Sequence, residues 1–503
     1  MHPMTSADVL KLIESKGLPQ SLQASVTQLF EAIHQGHTAY RLSDEDADLW
    51  AQTLAQSGLN SLFAVNHGAL QTHRHSAQEF RVAAALKKRS AHPNLTITID
   101  PEQLMPHADA SQQRAIIGAA SRRFAVVTGG PGTGKTTTAA AIVAAKLSLF
   151  PGQPNVSLVA PTGKAAVQLT ESFQVATTKM PIAELQPVIA TTIHRQLKDL
   201  RLANIVLIDE ASMVSLDLFD QLLKSLDDEA HLILMGDPNQ LASVEAGSIL
   251  KVITESAVLT NNCFQLNQRH RIKGQEALAQ LQDLCLSGDS RGFIRGLKDL
   301  EISWESGQRS DRLEMTVLEG YRPYFEELQR GTVPRSADFQ CLTAISEGIG
   351  GRRFINHLVQ AETQRIGLNG FGERLLVIAN QPSIGVFNGD TGVVIDPYHP
   401  PNPGVRFENI DQPLLKNQLG EVESAWAISI HRSQGSEYNS VLICLPEPAT
   451  SRSRFRPSRE LLYTALTRAK EKVQLFATES MIDLAVSNTT RRLTCLDLFL
   501  NAP

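Results

Sequence analysis

The sequence predicts an α/β protein whose central part is built on parallel sheets. Short strands separated by helices are typical of a parallel sheet that is covered on both faces. The composition agrees, since 42% apolar and 20% charged residues are ordinary values for a globular protein. The apolar runs that carry the prediction alternate with helical stretches between residues 108 and 260: Phe124–Thr128, Val156–Ala160, Asn204–Ile208 and His231–Met235.

Length, charge and cysteine usage restrict the classes of protein. A chain of 503 residues corresponds to about three domains. The 47 Lys and Arg residues against 52 Asp and Glu give a net charge of −5, so a nucleic-acid groove must be local. Five scattered cysteines without a CxxC pair disfavour a zinc ribbon and predict reduced thiols in a cytoplasmic protein. No membrane span and no signal peptide are expected.

The chain divides into regions with different patterns of apolar residues. Residues 1–107 have near-helical apolar spacing and predict an N-terminal helical domain. Residues 108–260 form the first α/β domain and residues 261–503 the second. Within the second domain, residues 372–425 predict a small β-barrel insertion, because the strand-like runs RLLVIANQ and TGVVID flank Asn388-Gly389, a tight-hairpin signal. The remaining strands are predicted at Phe339–Ala344, Val441–Leu445 and Val473–Ala477.

A glycine-rich segment between a predicted strand and a predicted helix indicates nucleotide binding. Its glycines let backbone N–H groups close on phosphate oxygens. Lys135 is expected to reach the β- and γ-phosphates, and Thr136 to offer its hydroxyl to Mg²⁺. The predicted nucleotide-binding residues are Gly129, Gly130, Pro131, Gly132, Thr133, Gly134, Lys135, Thr136 and Thr137.

Two carboxylates follow the apolar strand that ends at Ile208. We expect Asp209 to hold Mg²⁺ and Glu210 to polarise the attacking water, a pair that a hydrolase needs more than a kinase does. Solvated acids at a strand end are the alternative, which the preceding phosphate loop disfavours. A third strand ends in GDPNQ, where the Gln240 amide is a candidate sensor of the γ-phosphate.

Further short segments occur in one order along the chain. They are SQQRA at 111–115, APTGKAA at 160–166, TIHR at 192–195, DEAS at 209–212, GDPNQL at 236–241, the stretch 266–271, FNGDTG at 387–392, HRSQGSE at 431–437 and YTALTRA at 463–469. Together with the phosphate loop, this order resembles superfamily 1 helicases of the 5′→3′ class. Within that class it resembles the RecD family, the alpha subunits of exodeoxyribonuclease V (RecBCD). The resemblance covers roughly residues 108–503.

The resemblance implies a fold and a set of site residues. The fold would comprise two RecA-like P-loop NTPase domains with an SH3-like barrel insertion. Gln113 would read adenine, and Glu437 would belong to the nucleotide site. Arg271 and Arg468 would reach the γ-phosphate across a cleft, with Arg269 as second choice for Arg271. The implied DNA contacts are Pro161, Thr162, Lys164, Thr192, His194, His431 and Ser433.

The implied function is an ATP- and Mg²⁺-dependent 5′→3′ DNA helicase subunit of a RecBCD-type exodeoxyribonuclease in double-strand break repair by homologous recombination. Its substrates would be single-stranded DNA and duplex ends, and its partners RecB-like and RecC-like chains. Nuclease activity would belong to a partner, since no further cluster of Asp, Glu and Lys is evident. The short segment from His194 to Asp209 leaves little room for a strand-separating pin. The N-terminal region shows no clear tandem helix–hairpin–helix signature of the stand-alone RecD-like helicases, which favours a complex subunit. Because it also lacks catalytic motifs, a docking module is the simplest interpretation.

Two alternatives stay open at this point. One is a stand-alone RecD-like DNA helicase. The other is an ATP-binding structural or regulatory subunit without motor activity, which Lys135, Glu210 and Arg468 disfavour. A small-molecule kinase would not explain the segments at 431–437 and 463–469. The basic run Arg452, Arg454, Arg456 and Arg459 is either a DNA contact or a solvated loop.

Overall fold

The N-terminal module combines helices with a small antiparallel sheet. The computed structural model describes residues 6–15, 18–97, 100–150, 152–180, 188–270, 276–305, 309–334, 338–368, 370–396, 403–407, 410, 412–447 and 455–502. The first elements are α1 Ser6–Ser15, α2 Gln20–His34, β1 Ala39–Arg41, α3 Asp44–Ser57, β2 Phe63–Asn66, β3 Ala69–Thr72 and α4 His73–Ser90. The strands pair in the order β1-β3-β2. His67 and Gly68, both with positive φ (50° and 72°), form the two-residue turn between β2 and β3.

The predicted helical domain at residues 1–107 is therefore a mixed α/β module. Its strands are only three or four residues long. Apolar residues in such short strands also fit a helical spacing, so periodicity alone could not separate the two structures. The module has a core of its own, with Ile13, Leu29 and Trp50 fully buried.

A six-stranded parallel sheet forms the first α/β domain. Its elements are α5 Pro101–Leu104, α6 Ala110–Ala120, β4 Phe124–Gly129, α7 Lys135–Leu147, β5 Val156–Ala160, α8 Gly163–Thr177, β6 Thr191–Thr192, α9 Ile193–Gln196, β7 Ile205–Ile208, α10 Leu216–Ser225, β8 His231–Gly236, α11 Ile249–Glu255 and β9 Cys263–Leu266. The strand order is β6-β5-β7-β8-β4-β9. The four predicted strands are confirmed within one residue at each end. Because β9 pairs with β4, this sheet extends past the predicted boundary at residue 260.

Both faces of this sheet are covered, which explains its uninterrupted apolar strands. Every residue of β4 and β8 is buried. Helices α6, α7 and α8 pack on one face, and α4, α10 and α11 pack on the other. Between His194 and Asp209, a stretch that is described throughout, the chain holds only the end of α9, a 3-10 turn and β7. No hairpin projects from that stretch.

The second α/β domain begins with helices that flank its first two strands. These elements are α12 Glu276–Ser287, α13 Ser290–Asp299, β10 Ser303–Glu305, α14 Ser310–Gln329, β11 Phe339–Thr343 and α15 Arg352–Arg365. The predicted strand at Phe339–Ala344 is confirmed, one residue shorter than expected.

The insertion is a five-stranded antiparallel sheet. Its strands are β12 Arg374–Val377, β13 Thr391–Asp396, β14 Gly404–Phe407, β15 Leu414–Leu415 and β16 Val422–Ser424, in the order β15-β14-β13-β12-β16. The prediction of a tight hairpin between β12 and β13 was wrong, because residues 378–390 form a long connection. Gly389 (φ 96°) donates its N–H to the Val377 carbonyl at 2.9 Å, so Asn388-Gly389 marks the return into β13 instead. Among the described residues no pairing joins β15 to β16, and a closed SH3-like barrel stays a prediction.

The chain then completes the second sheet and returns to the N-terminal module. The last elements are β17 Ala427–Ser429, β18 Tyr438–Leu445, α16 Arg459–Leu466, β19 Ala469–Ala477, α17 Glu479–Ser487 and α18 Leu496–Asn501. The second sheet is parallel, in the order β10-β19-β18-β11-β17. Helix α18 packs against α4, and the Thr38 N–H donates to the Leu493 carbonyl at 3.0 Å. Within the described residues, no helix has both the length and the apolar character to cross a bilayer.

Candidate functional site

The phosphate loop connects β4 to α7 and is preformed around its lysine. The Lys135 ammonium donates to the carbonyls of Gly129 and Gly130 at 2.8 and 3.0 Å. Gly132 and Gly134 have φ values of 74° and 75°, a conformation that glycine adopts without strain. Gly134 precedes the first turn of α7, and no side chain caps that turn. The backbone N–H groups of this first turn are therefore available to an anion.

Asp209 and Glu210 leave the end of β7 in different conformations. The Asp209 carboxylate accepts the Glu210 N–H at 2.7 Å, while Glu210 has a φ of 49°, which non-glycine residues rarely adopt. Burial raises the pKa of the Asp209 carboxyl, and the neighbouring Glu210 carboxylate raises it further. The positive charge of Lys135 lowers the pKa of the Asp209 carboxyl. Asp209 and the Thr136 hydroxyl line one cavity, and such oxygen donors fit Mg²⁺.

The loop that follows β8, residues 237–241, is bonded to the second α/β domain. We call it the β8 loop. Its backbone bonds to that domain at Leu241, whose N–H donates to the Thr464 hydroxyl at 2.9 Å and whose carbonyl accepts the Gln434 amide at 3.0 Å. The Tyr463 hydroxyl donates to the Asp237 carboxylate at 2.9 Å. The β8 loop is therefore a strand end of one domain that is held by side chains of the other.

Arg468 lies at the same junction and is only 5% exposed. Its guanidinium donates to the Gln240 side-chain oxygen at 3.2 Å and to the carbonyls of Thr464 and Ser436, each at 3.1 Å. The contact with Gln240 joins the two domains beside the phosphate loop. An arginine in this place can meet negative charge that develops in the cleft.

One cavity of about 660 Å³ brings most of the predicted nucleotide residues together. We call it the nucleotide cavity. Pro131 to Thr137, Asp209, Glu210, Gln240, Glu437 and Arg468 all line it. The sequence interpretation missed one face of α8 and its extension, whose helical spacing after the APTGKAA segment was the available signal. These additional lining residues are Gln168, Glu171, Ser172, Val175, Ala176 and Lys179.

Three of the predicted nucleotide-binding residues, Gln113, Gly129 and Gly130, are not among the residues that line the nucleotide cavity. The Gln113 amide donates to the Ala108 carbonyl at 3.1 Å, and Gln113 is not among the lining residues. Its neighbour Gln112 is buried instead and donates to the Thr133 carbonyl of the phosphate loop at 3.2 Å. Arg271 lies outside the described residues. Arg269, the second choice for that role, pairs with Asp283 and is not a lining residue.

The predicted DNA contacts lie mostly at helix starts. Thr162 and Thr192 cap α8 and α9, where their oxygens accept backbone N–H groups at 3.2 and 3.4 Å. A capping hydroxyl keeps its own proton, which it can donate to a phosphate. Pro161 and Lys164 are half-buried beside Thr162, and His194 is exposed.

The two predicted contacts in the 431–437 segment differ. His431 is exposed. Ser433 is fully buried, and its hydroxyl donates to the Ile430 carbonyl at 2.7 Å. Ser433 therefore stabilises its own turn and offers no surface to DNA in this structure, contrary to the prediction. The sequence could not distinguish the two, because a turn brings only some of its side chains to the surface.

The insertion contacts the first α/β domain at the start of α8. The Phe387 ring packs so closely on Gly163 that a Cβ at that position would lie 2.2 Å from the ring. Only glycine fits this contact. It places the connection between β12 and β13 beside Thr162 and Lys164.

Two family models match parts of the chain. A family model described as "AAA domain" matches residues 107–302, and the model of the UvrD-like helicase C-terminal domain matches residues 424–476. The RecBCD enzyme subunit RecD of Mycobacterium tuberculosis (strain H37Rv) is 33% identical over 444 residues, which cover 80% of this chain and 75% of that protein. The same subunit of Mycolicibacterium smegmatis is 32% identical over 493 residues, 90% of this chain and 86% of that protein.

A further relative is the ATP-dependent RecD2 DNA helicase of Deinococcus radiodurans. It is 27% identical over 480 residues, which cover 91% of this chain but 61% of that protein. The two mycobacterial proteins match over most of both chains and carry the assignment. With the phosphate loop, the paired carboxylates and the arginine at the domain junction in place, the chain belongs to the RecD family of ATP-dependent DNA helicases.

Proposed function

We propose that this helicase is the 5′→3′ motor subunit of a RecBCD-type exodeoxyribonuclease, which acts on duplex ends in recombination repair in the cytoplasm. RecB-like and RecC-like chains would be its partners, and one of them would carry the nuclease. The fraction of each relative's length that this chain matches supports the assignment to a RecBCD-type complex. The chain matches 75% and 86% of two RecBCD subunits but 61% of the RecD2 helicase.

The observation that carries the motor mechanism is the set of bonds between the β8 loop and the second motor domain. Gln240 lines the nucleotide cavity and accepts a hydrogen bond from Arg468. We propose that Lys135 binds the β- and γ-phosphates and that Glu210 orients the attacking water. Asp209 and Thr136 would hold Mg²⁺, which neutralises phosphate charge. Arg468 would stabilise the charge that develops on the γ-phosphate, so that hydrolysis depends on how the two domains sit against each other.

The positions of the remaining predicted residues and of the smaller modules suggest their roles in this proposal. Thr162, Lys164, Thr192, His194 and His431 would contact the DNA backbone, which needs donors more than base-reading groups. The N-terminal module would dock a partner chain. The insertion would take the form of an SH3-like barrel. The first motor domain would end after β9 rather than at residue 260.

The test uses the chain co-expressed with the RecB-like and RecC-like chains of its own host. We expect a complex that survives size exclusion. A variant of the complex with an inactive RecB-like motor should then unwind duplexes with a 5′ tail and not those with a 3′ tail. Lys135→Gln in this chain should abolish that unwinding, because the cation that neutralises the phosphates is lost.

Three outcomes would contradict the proposal. Unwinding only from 3′ tails would refute the polarity. Absence of a complex, with full unwinding by the isolated chain, would favour the stand-alone helicase. Normal turnover by a folded Lys135→Gln chain would refute the role of the phosphate loop.

A further inference from the structure

A buried carboxylate beside the phosphate loop has no role in the hydrolysis mechanism proposed above. Asp237, the first residue of the β8 loop, is only 1% exposed. Its carboxylate accepts the Asn239 N–H at 3.0 Å and the Tyr463 hydroxyl at 2.9 Å. Burial raises the pKa of the Asp237 carboxyl, whereas the positive charge of Lys135 and the bond from Tyr463 lower it. Neither Asp237 nor Tyr463 lines the nucleotide cavity, so neither is in place to touch the nucleotide.

The Tyr463 hydroxyl lies between Asp237 and the phosphate loop. A Cβ at Gly130 would be 3.1 Å from its oxygen, and the Gly130 carbonyl accepts the Lys135 ammonium at 3.0 Å. This side chain of the second α/β domain therefore contacts two loops of the first, the phosphate loop and the β8 loop. Because Tyr463 is buried, water does not compete for its bond to Asp237.

Helix α16, which carries Tyr463, also holds Arg468. Its next residue, Thr464, has a hydroxyl that accepts the Leu241 N–H at 2.9 Å and a carbonyl that accepts the Arg468 guanidinium at 3.1 Å. Tyr463 and Thr464 thus bond α16 to the β8 loop at two successive positions. The guanidinium of Arg468 is in turn bonded to α16, so the two bonds determine where Arg468 lies relative to the nucleotide cavity.

We propose that Tyr463 is a positioning residue for ATP hydrolysis: its bond to Asp237 holds α16 against the β8 loop and thereby holds Arg468 in the nucleotide cavity. This inference rests on the proposed role of Arg468 in hydrolysis. Loss of the Tyr463 hydroxyl leaves Arg468 with the bonds to its own domain, on Thr464 and Ser436. It weakens the attachment of α16 to the first α/β domain, so the guanidinium moves with its helix.

The first experiment compares Tyr463→Phe with wild type in the full chain, at saturating single-stranded DNA. The substitution removes one oxygen and keeps the ring. A small misplacement of a group that acts in the transition state should lower kcat on the order of tenfold to hundredfold. The phosphate loop keeps its own contacts, so the affinity for ATP should change by less than about twofold, and kcat and kcat/KM should fall together.

Tyr324→Phe is the matched control. Tyr324 is also buried, and its hydroxyl donates to the Gly372 carbonyl at 2.9 Å, away from the nucleotide cavity. Both variants lose one buried hydrogen bond, so both should melt at a lower temperature than wild type. Only Tyr463→Phe should lose kcat. An equal loss of kcat in both variants would show a general effect on stability and would overturn the inference.

The combination with Arg468→Ala separates positioning from a structural role. If Tyr463 acts through the guanidinium, Tyr463→Phe should cause no further loss once that guanidinium is absent. A residue that only supports the fold would slow hydrolysis by the same factor in both backgrounds. Single-turnover hydrolysis of radiolabelled ATP resolves the slow rate of the Arg468→Ala background.

A second substitution keeps the test valid if Tyr463→Phe does not fold. Thr464→Val keeps the shape of the side chain and removes the other bond between α16 and the β8 loop. It should likewise lower kcat, leave ATP affinity unchanged and have no further effect in the Arg468→Ala background.

The outcomes separate this inference from the proposed function. A slow Arg468→Ala chain, together with a Tyr463→Phe chain that keeps the wild-type kcat, would overturn the positioning role alone. The same fold-loss from Tyr463→Phe in both backgrounds would also overturn it alone. Hydrolysis at the normal rate by Arg468→Ala, or no hydrolysis by the wild-type chain with DNA, would instead refute the proposed function.

Discussion

Arg468 uses its guanidinium to hold the junction of the two domains. Four acceptors receive its N–H groups, and the Gln240 side chain is the one that belongs to the other domain. The remaining three, on Thr464, Ser436 and Thr467, fix the guanidinium from within its own domain. An arginine fixed in this way needs little reorganisation when charge develops in front of it.

At this scale we expect Glu210→Gln and Arg468→Ala to separate binding from hydrolysis. Glu210→Gln keeps size and hydrogen bonding and should slow turnover at least about 10²-fold, the lower range for general-base catalysis. Arg468→Ala should slow it on the order of 10³-fold if the residue acts as an arginine finger. Single-turnover ATPase with saturating single-stranded DNA measures both, and ATP binding by fluorescence is the control.

The variant that combines Glu210→Gln with Arg468→Ala tests whether the two residues act on the same step. Both groups act on one transition state, so their defects should not add. Additive losses would show that they act on separate steps. Hydrolysis at the normal rate by Arg468→Ala would refute the cross-cleft mechanism, and Arg271 would become the residue to test.

At the scale of elements, β8 contains a buried histidine at its first position. His231 is 5% exposed, and its Nδ1 lies 3.1 Å from the Lys146 ammonium of α7. Lys146 also donates to the carbonyls of Ala120 and Arg122 at 3.0 and 2.5 Å. Burial lowers the pKa of His231 to about 3 and the pKa of Lys146 to about 7, and a charge on Lys146 acts on His231 in the same direction as burial. The imidazole therefore stays neutral in the folded protein.

This neutrality predicts a dependence of stability on pH. Below pH 6.5 the unfolded chain takes up a proton at His231 that the folded chain does not, so the stability present above that pH is lost as the pH falls towards 3. Between pH 7.5 and 5 this amounts to about 2 kcal/mol, at 1.36 kcal/mol per unit of pKa shift.

His231→Asn removes the titrating group and keeps an acceptor for Lys146. The variant should be less stable than wild type at pH 7.5, and the difference should shrink by about 2 kcal/mol at pH 5. Urea unfolding at both pH values measures this. His73→Asn, at an exposed position of α4, is the control and should leave the pH dependence unchanged. A constant difference for His231→Asn would show that the histidine is not kept neutral.

At the scale of the whole molecule, the two ends of the chain meet on the first motor domain. The buried Glu79 carboxylate of α4 accepts bonds from Thr38, Gln71, Thr494 and the Cys495 N–H. On the other side of α4, Val82 and Leu86 are fully buried in the core beneath the first sheet, together with Leu500 of α18. The end of the N-terminal module is therefore part of the motor.

Deletion of residues 1–100 should consequently unfold more than a docking surface. It removes α4, exposes the apolar residues beneath the first sheet, and frees α18. We expect aggregation or a loss of cooperative thermal unfolding, and loss of ATP binding with it. A truncated chain that melts like wild type and binds ATP would contradict this.

The milder variant Glu79→Gln keeps every segment but replaces an acceptor of four hydrogen bonds by an amide with one oxygen. The free energy of unfolding should therefore fall by about 1–3 kcal/mol.

The sequence by itself determined the parts of the site that lie on consecutive residues. The phosphate loop, Asp209-Glu210 and the strands before them were predictable because strand, loop and helix follow one another within a few residues. The order of motifs likewise predicted two α/β domains, and the comparisons confirm the family.

Tertiary structure alone determined which residues and elements that are far apart in the sequence lie close together. It pairs β9 with the first sheet, seats α18 on α4, turns one face of α8 into the nucleotide cavity and brings Gln112 rather than Gln113 to the phosphate loop. It also places Tyr463 on Asp237 and buries Ser433 beside the exposed His431. Local pattern reports which residues can form a strand or a turn, whereas burial and cross-domain bonds depend on packing between segments that periodicity does not relate.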